Sequence, residues 1–317
     1  MLSLQMANLL NKHSKVAVTS RSFSKNKELV SFLKSKFQNV KLNTQGLSLK
    51  GKSLINFLDG MDAAIIGLEP ITKQVVSKLP SLKVISKYGV GTNNLDMEAI
   101  KKSNISIALS PGSNAQSVAE YTIYLILLSL RQNFNNLEEI SRNIWSQKKG
   151  RDLYGKKIGI IGYGNIGKKL ATILKPFNVE ILVFDRVKIH LNKTQQSSIT
   201  QVSLNKLLKE TDIISIHLPL LESTNDFLTK KEFALMKRDV VIVNTSRGGI
   251  VKEGDLYKFL KNNSEAFGAF DVFKKEPIFN SKLFKLPNFF ASSHRASLTS
   301  EGIFKMGMAA IDGLLKK

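Results

Sequence analysis

Lys157-Ile158-Gly159-Ile160-Ile161-Gly162-Tyr163-Gly164-Asn165-Ile166-Gly167 is the stretch that decides the fold. Its first part, Lys157–Ile161, reads as a buried strand, and helical sequence is expected from Lys168 to Leu174. The glycine spacing between them is that of a dinucleotide-binding turn. Gly162 permits the sharp bend, Gly164 lets backbone approach a pyrophosphate, and Gly167 lets the helix pack closely on the strand. The phosphates would meet the helix N-terminus at Asn165 and Ile166, where free N–H groups and the helix dipole favour an anion. The next strand, Glu180–Phe184, ends in Asp185. A carboxylate about 20 residues past the turn accepts the adenosine ribose hydroxyls. It also repels a 2′-phosphate, so the expected cofactor is NAD rather than NADP, although the neighbouring Arg186 is of the type that serves such a phosphate.

Outward from this unit, short apolar strands alternate with helical patterns, the signature of parallel α/β architecture. Before the turn, strands are expected at Lys15–Thr19, Val40–Leu42, Ala63–Ile66, Leu82–Ser86 and Ser106–Ala108. Helices are expected between them at Asn26–Phe37, Leu54–Leu58, Lys73–Leu79 and Met97–Ser103, the last capped by Asp96. The cluster Pro111-Gly112-Ser113-Asn114 breaks the series. A long helix, about Ala115 to Arg131, follows it, then a second helix ending near Trp145. Beyond the glycine turn, strands are expected at Asp212–His217, Val240–Asn244, Phe267–Asp271 and Asn288–Ala291, with a closing helix at Thr299–Leu315. Two α/β halves with a helical join predict two doubly wound parallel-sheet domains and a cleft between them.

The 317 residues suit two domains, and composition is that of an ordinary globular chain. No apolar run reaches the roughly 18 residues that a membrane span needs. The first fifteen residues, MLSLQMANLLNKHSK, read as a short extension or first helix, not a signal peptide. Cysteine is absent, which excludes disulfides, thiolate nucleophiles and cysteine metal sites and points to a reducing cytoplasm. The net charge of +22 is unusual. Its lysines are scattered and form no long basic run, so they read as solvated faces rather than a nucleic-acid surface.

A hydride transfer between nicotinamide and a 2-keto acid needs a cation for the carboxylate and carbonyl, a proton donor, and a group that tunes the donor. The chain has four histidines. His13 and His190 lie in polar segments and are expected to be exposed. His217, in His217-Leu218-Pro219, is read as a wall residue of the cofactor crevice. His294 follows the last strand, where carboxyl ends of strands gather, and is the best acid–base candidate. Arg247 stands in Thr245-Ser246-Arg247-Gly248-Gly249, just past a buried strand, where it can clamp a carboxylate; a surface loop position is the alternative. Asp271 ends a strand and suits a cofactor contact, whereas Glu276, before Pro277, reads by position alone as a solvated loop carboxylate. No metal site is expected.

Several segments together resemble the D-isomer-specific 2-hydroxyacid dehydrogenase family, in that family's order and spacing. They are Lys87-Tyr88-Gly89-Val90-Gly91-Thr92-Asn93-Asn94-Leu95-Asp96, Asn114-Ala115-Gln116-Ser117-Val118-Ala119-Glu120, the glycine turn, His217-Leu218-Pro219, Asn244-Thr245-Ser246-Arg247-Gly248, Asp271-Val272-Phe273-Lys274-Lys275-Glu276-Pro277 and Ser293-His294. The resemblance implies a catalytic trio: Arg247 on the substrate carboxylate and carbonyl, His294 as proton donor and acceptor, and Glu276 stabilising the imidazolium. It implies a second carboxylate cradle at Val90 and Gly91, and cofactor contacts at Asp185, His217, Pro219, Thr245 and Asp271. It further implies a Rossmann-type NAD domain, residues 111–291, inserted in a flavodoxin-like substrate domain formed by residues 1–110 and the returning segment 292–317. The helix after Pro111 resembles one that pairs subunits, so a homodimer is expected, acting on a small 2-hydroxy or 2-keto acid such as 3-phosphoglycerate, hydroxypyruvate or glyoxylate. An NAD(H)-sensing, non-enzymatic protein on the same fold, like the corepressors that resemble this family, is the alternative. Two departures stand out: Ser293 and Arg295 flank His294 where the family usually has Pro and an aliphatic residue, and Glu69 stands where one group of phosphoglycerate dehydrogenases carries a phosphate-binding Arg, which argues against that mode of phosphate binding.

Overall fold

A computed structural model of the protein describes residues 10–132, 136–191 and 198–315. The expected N-terminal extension or helix lies largely outside them, in residues 1–9. The chain forms two compact units, one built from residues up to Asn114 and from Leu298 onward, the other spanning Ala115–Ser297.

In the first unit five strands, β1 (Lys15–Val18), β2 (Asn39–Leu42), β3 (Ala63–Ile66), β4 (Val84–Lys87) and β5 (Ser106–Ala108), form a sheet in the order β2-β1-β3-β4-β5. Every ladder is parallel. This is the flavodoxin-like order. The central strands β3 and β4 are buried along their whole length; β3 therefore reads as a continuous apolar run without alternation, whereas β4 ends in the buried polar pair Ser86-Lys87. The C-terminal helix Ser300–Leu315 returns to this unit. There the Ser86 hydroxyl donates to Ala310 C=O at 2.6 Å, and Gly307 lies so close to Leu29 that a Cβ would meet it at 2.2 Å.

The second unit holds β6 (Lys157–Ile161), β7 (Glu180–Phe184), β8 (Ile199–Gln201), β9 (Ile213–Ile216), β10 (Val241–Asn244), β11 (Phe267–Phe270) and β12 (Phe289–Ala291). Their order is β12-β11-β10-β9-β6-β7-β8, again all parallel. It is the doubly wound dinucleotide-binding order with one strand added at the β12 edge. Side chains alternate between the two faces. Ile158, Ile160, Ile181, Val183, Val241 and Val243 pack under helices Ala115–Arg131 and Asn165–Leu174. Ile161, Leu182 and Ile242 pack on the other face with Leu207, Leu208, Leu256 and Leu260.

Several boundaries differ from expectation. The helix after the glycine turn starts at Asn165 rather than Lys168, and the helix following the long one ends at Ser141, short of Trp145. Elements not foreseen include the three-residue edge strand β8 and a five-residue helix, Arg21–Lys25, whose N-cap Ser20 accepts from Phe23 N–H. Among the described residues no helix is long and apolar enough to cross a membrane.

Candidate active site

Carboxyl ends of the second sheet carry most of the residues singled out by sequence, split between two neighbouring stretches of one edge. The first lies after β6 and β7. Gly162 takes φ +96°, and a Cβ there would stand 2.6 Å from the His217 carbonyl oxygen. A Cβ on Gly167 would fall 2.3 Å from the Gly162 oxygen, so the helix can seat on the turn only if both positions lack side chains. Gly164 is the helix N-cap; no side chain caps it, and the space beside its Cα is open. That combination fits a bound pyrophosphate. Asp185 follows β7 directly. Its carboxylate accepts Tyr163 N–H at 2.8 Å and Val187 N–H at 3.2 Å, so the acidic residue is tied to the glycine turn itself. Two oxygens with one donor each still have lone pairs for ribose hydroxyls. Arg186 beside it is exposed.

The adjacent stretch of the edge, after β10, β11 and β12, brings Arg247, Glu276 and His294 into one group. Asn244 ends β10, and its side chain closes the next turn. Asn244 Oδ1 accepts both the amide (3.0 Å) and the hydroxyl (2.7 Å) of Ser246, while Nδ2 donates to Arg247 C=O at 3.1 Å. Arg247 Nη1 donates to Ser246 C=O at 2.6 Å. Burial pulls the guanidinium below its ordinary range and the Glu276 charge opposes this. Gly248 is pressed against the neighbouring loop, where any Cβ would fall 1.9 Å from Phe273 backbone atoms. Phe273 N–H in turn donates to Glu276 Oε1 at 2.8 Å.

Glu276 Oε2 meets His294 Nδ1 at 2.7 Å. Burial works to raise the Glu276 carboxyl, but the hydrogen bonds from His294 and Phe273 and the charges of His294 and Arg247 outweigh it and hold the group below its ordinary value. An ionised carboxylate only accepts, so Nδ1 carries the proton of this bond and Nε2 is the nitrogen left for exchange. The imidazole is 45% exposed, which gives it access to solvent protons.

Asp271 holds the turn that carries this histidine. It is fully buried, and its carboxylate accepts the Ser292 hydroxyl (2.6 Å), Arg295 N–H (2.9 Å) and Ala296 N–H (2.8 Å). The Asp271 carbonyl accepts His294 N–H at 2.8 Å. Successive amides folded around an anion form a nest, and here the nest closes on a carboxylate of the same chain. It holds His294 at φ +52°, a left-handed conformation uncommon for a residue with a side chain. By sequence Asn244 had only a place in a strand end and a motif, and Ser292 had no role. An Asn at a strand end followed by Thr-Ser is a turn signal that could have revealed the first. Ser292 offered no local signal.

His217 follows β9, at the seam between the two stretches. Its Nε2 pairs with Ser215 Oγ at 2.8 Å, its Nδ1 is enclosed, and burial pushes its pKa down to about 3, so the ring is neutral. Pro219 is exposed and its carbonyl accepts the Thr224 hydroxyl at 2.6 Å; Thr245 is buried. His13 and His190 are exposed. Val90 and Gly91 belong to the first unit, in the loop after β4 that begins at Gly89 with φ +112°.

Residues 123–296 match the family described as D-isomer specific 2-hydroxyacid dehydrogenase, NAD binding domain. A hydroxypyruvate reductase of Thermotoga maritima is 31% identical over 275 residues, covering 85% of this chain and 89% of that protein. A D-3-phosphoglycerate dehydrogenase of Methanocaldococcus jannaschii is 35% identical over 234 residues, 73% of this chain but only 44% of that longer protein. Among solved structures, a glyoxylate reductase from Paecilomyes thermophila superposes with a TM-score of 0.84 at 26% identity, over 95% of this chain and 94% of that one. With this match across more than half its length, the chain belongs to the D-isomer specific 2-hydroxyacid dehydrogenase family and is an NAD-dependent oxidoreductase.

Proposed function

We propose that the chain interconverts a small, unphosphorylated 2-keto acid and its D-2-hydroxy acid, with Arg247, Glu276 and His294 as the reacting groups. The observation that carries this reading is the 2.7 Å contact of His294 Nδ1 with a Glu276 carboxylate held ionised, beside the loop of Arg247. NAD, when bound, supplies or takes the hydride. Gly162, Gly164, Asn165, Ile166 and Gly167 would hold its pyrophosphate and Asp185 its ribose hydroxyls, with Arg186, His217, Pro219, Thr245 and Asp271 as further cofactor contacts.

Arg247 binds the substrate carboxylate and polarises the carbonyl. In reduction the carbonyl carbon gains the hydride and the oxygen gains the His294 Nε2 proton; in oxidation Nε2 takes the hydroxyl proton back. Glu276 fixes the Nδ1–H tautomer and stabilises the imidazolium. Val90 and Gly91 are proposed as further substrate-binding residues through their backbone amides.

Glu69 supports an unphosphorylated substrate. Its Oε2 accepts the Thr19 hydroxyl (2.7 Å) and Gly67 N–H (2.8 Å), so a carboxylate is fixed in the loop after β3, at the place where one group of phosphoglycerate dehydrogenases carries a phosphate-binding Arg. The names of the hydroxypyruvate and glyoxylate reductases among the similar proteins point the same way. A homodimer and a cytoplasmic location go with the proposal. Leu137 (81% exposed) and Trp145 (80%) are large apolar side chains that a subunit contact would cover.

NADH oxidation with hydroxypyruvate, glyoxylate, pyruvate and 3-phosphohydroxypyruvate tests the reading. Turnover is expected with at least one of the first three and is expected to be weakest with the phosphorylated acid. Tight NADH binding with turnover of none would favour a protein that only senses NAD(H). A clear preference for 3-phosphohydroxypyruvate would overturn the role given to Glu69.

A further inference from the structure

Arg247 and Glu276 stand on successive connections of the second unit, one after β10 and one after β11. The two connections touch at the Phe273–Lys274 peptide. Gly248 backs that peptide closely, with no room for a Cβ beside Phe273 C=O or Lys274 N. Its N–H is taken by a residue outside the catalytic trio: Glu253, the first residue of the helix Glu253–Asn262, accepts Lys274 N–H through Oε1 at 2.7 Å. Glu253 is half-buried and projects from a fixed base. Asp226 N–H donates to Gly249 C=O (2.7 Å), Leu228 N–H to Ile250 C=O (3.1 Å) and Lys252 N–H to Leu228 C=O (3.0 Å), so the chain from the Arg247 turn to the helix is zipped to the segment beside it. A carboxylate in the first turn of a helix is also favoured by the helix dipole. The turn that carries Glu276 thus gives two successive amides to two carboxylates. Phe273 N–H goes to Glu276 Oε1 at 2.8 Å, and Lys274 N–H goes to Glu253.

We propose that Glu253 is a positioning residue for Glu276: by holding the Lys274 amide it sets the Phe273–Glu276 turn, and through that turn the 2.7 Å pairing of Glu276 with His294. The proposal rests on the roles given above to Glu276 and His294. A peptide unit is a rigid plane. The Phe273–Lys274 plane is held on its face by Gly248 and at its edge by Glu253, and the chain that leads to Glu276 takes its direction from it. Glu253 bonds to backbone, so its effect is on where the Glu276 carboxylate stands, and small displacements of catalytic groups are costly. Charged groups around the Glu276–His294 pair are Arg247, Lys274 and Lys275 on the side of Glu276, and Asp271 and Arg295 in the His294 turn. A change at Glu253 leaves all of them in place.

Glu253→Ala removes the acceptor, whereas Glu253→Gln keeps an oxygen at the same reach and removes only the charge. Glu253→Ala should lower kcat for keto-acid reduction by about 3- to 10-fold at neutral pH, the size of one net hydrogen bond. KM should stay near normal, because Arg247 still holds the substrate carboxylate. Glu253→Gln should recover most of the loss. In Glu253→Ala the alkaline limb of turnover should also move by about half to one pH unit toward lower pH, since a displaced Glu276 stabilises the imidazolium less. In the Glu276→Gln background the same substitution should cost less than about twofold, because its route is already cut. A fall in turnover with the pH profile unmoved, or an equal cost in the Glu276→Gln background, would mark a merely structural role and overturn the proposal. So would equal losses in Glu253→Gln and Glu253→Ala, which would make charge rather than position the cause, and so would unaltered kinetics in Glu253→Ala. If Glu253→Ala does not fold, Glu253→Asp, which draws the acceptor back by one methylene, takes its place and is read by the same shift. Normal turnover in His294→Asn would instead overturn the catalytic reading on which this one stands.

Discussion

Around β6 and β7 the second unit makes its binding edge out of missing atoms; around β10, β11 and β12 it makes the same edge out of pinned side chains. At Gly162 and Gly167 an added Cβ would collide with backbone at 2.6 and 2.3 Å, so the turn exists because nothing is there. At Arg247 and His294 the side chains matter, and each is held by a buried polar neighbour: Asn244 for the first, Asp271 for the second. One glycine, Gly248, crosses the divide by letting the Arg247 turn lie on the backbone at Phe273. The contrast implies that cofactor binding and proton transfer can be separated by substitution, even though both sit on neighbouring strand ends of a single sheet.

The strongest way to break that contrast is His294→Asn. Asparagine tolerates left-handed φ better than most residues, so the turn at φ +52° should survive while the proton donor is lost. Turnover should fall by roughly 10²–10⁴-fold, the usual scale of general acid–base catalysis. NADH affinity should change by less than about twofold. A parallel loss of both would mean that the His294 side chain itself, and not only Thr245 and Asp271 on the same stretch, serves the cofactor site.

Asp185→Ala probes the other stretch. It removes the carboxylate from the ribose hydroxyls and also from Tyr163 N–H in the glycine turn. Charge-assisted hydrogen bonds are worth about 1.5–3 kcal/mol, so NADH affinity should weaken by roughly 10- to 100-fold. NADPH should weaken less, since repulsion of its 2′-phosphate is relieved, and kcat at saturating NADH should stay close to normal. Equal use of NADH and NADPH by the unaltered protein would remove Asp185 from cofactor choice.

The same contrast decides how much could be read in advance. A turn made of absences shows in sequence, because glycine spacing, the apolar strand before it and Asp185 lie within one short window. Strands buried on both faces, such as Ile213–Ile216 and Val241–Asn244, were legible for a similar local reason. Strand β8 was not: three residues at a sheet edge, Ile199-Thr200-Gln201, carry too little pattern. Position alone offered His294 as the best acid–base candidate and Arg247 as a carboxylate clamp, but it left Glu276 a solvated loop carboxylate, and only a family resemblance joined the three. Nothing local shows that Asp271 would spend its carboxylate on amides more than twenty residues away, nor that Thr122 would meet Thr245. Such bonds depend on which loops the sheet order brings together, and the sheet order is a property of the whole chain.

His217 offers the smallest and finest test, because it stands at the seam where β9 meets β6, with its carbonyl against Gly162. Burial keeps its ring neutral down to about pH 3, whereas an unfolded chain would protonate it below about 6.5. Between those values the unfolded state binds more protons, so stability must fall as pH falls through that window. The loss is on the order of 1 kcal/mol per pH unit at most. His217→Gln removes the titration and keeps a polar side chain for Ser215, so melting temperature should decline less steeply from pH 6.5 to pH 4.5 than in the unaltered protein. A slope equal to the unaltered one would show that the ring is not enclosed. The pH profile of turnover should keep its shape in the same variant, because a ring neutral throughout the working range cannot contribute a titration to it. A profile that moves with His217→Gln would carry this residue out of the cofactor wall and into the proton-transferring group, and would shift the line between the two stretches by one strand.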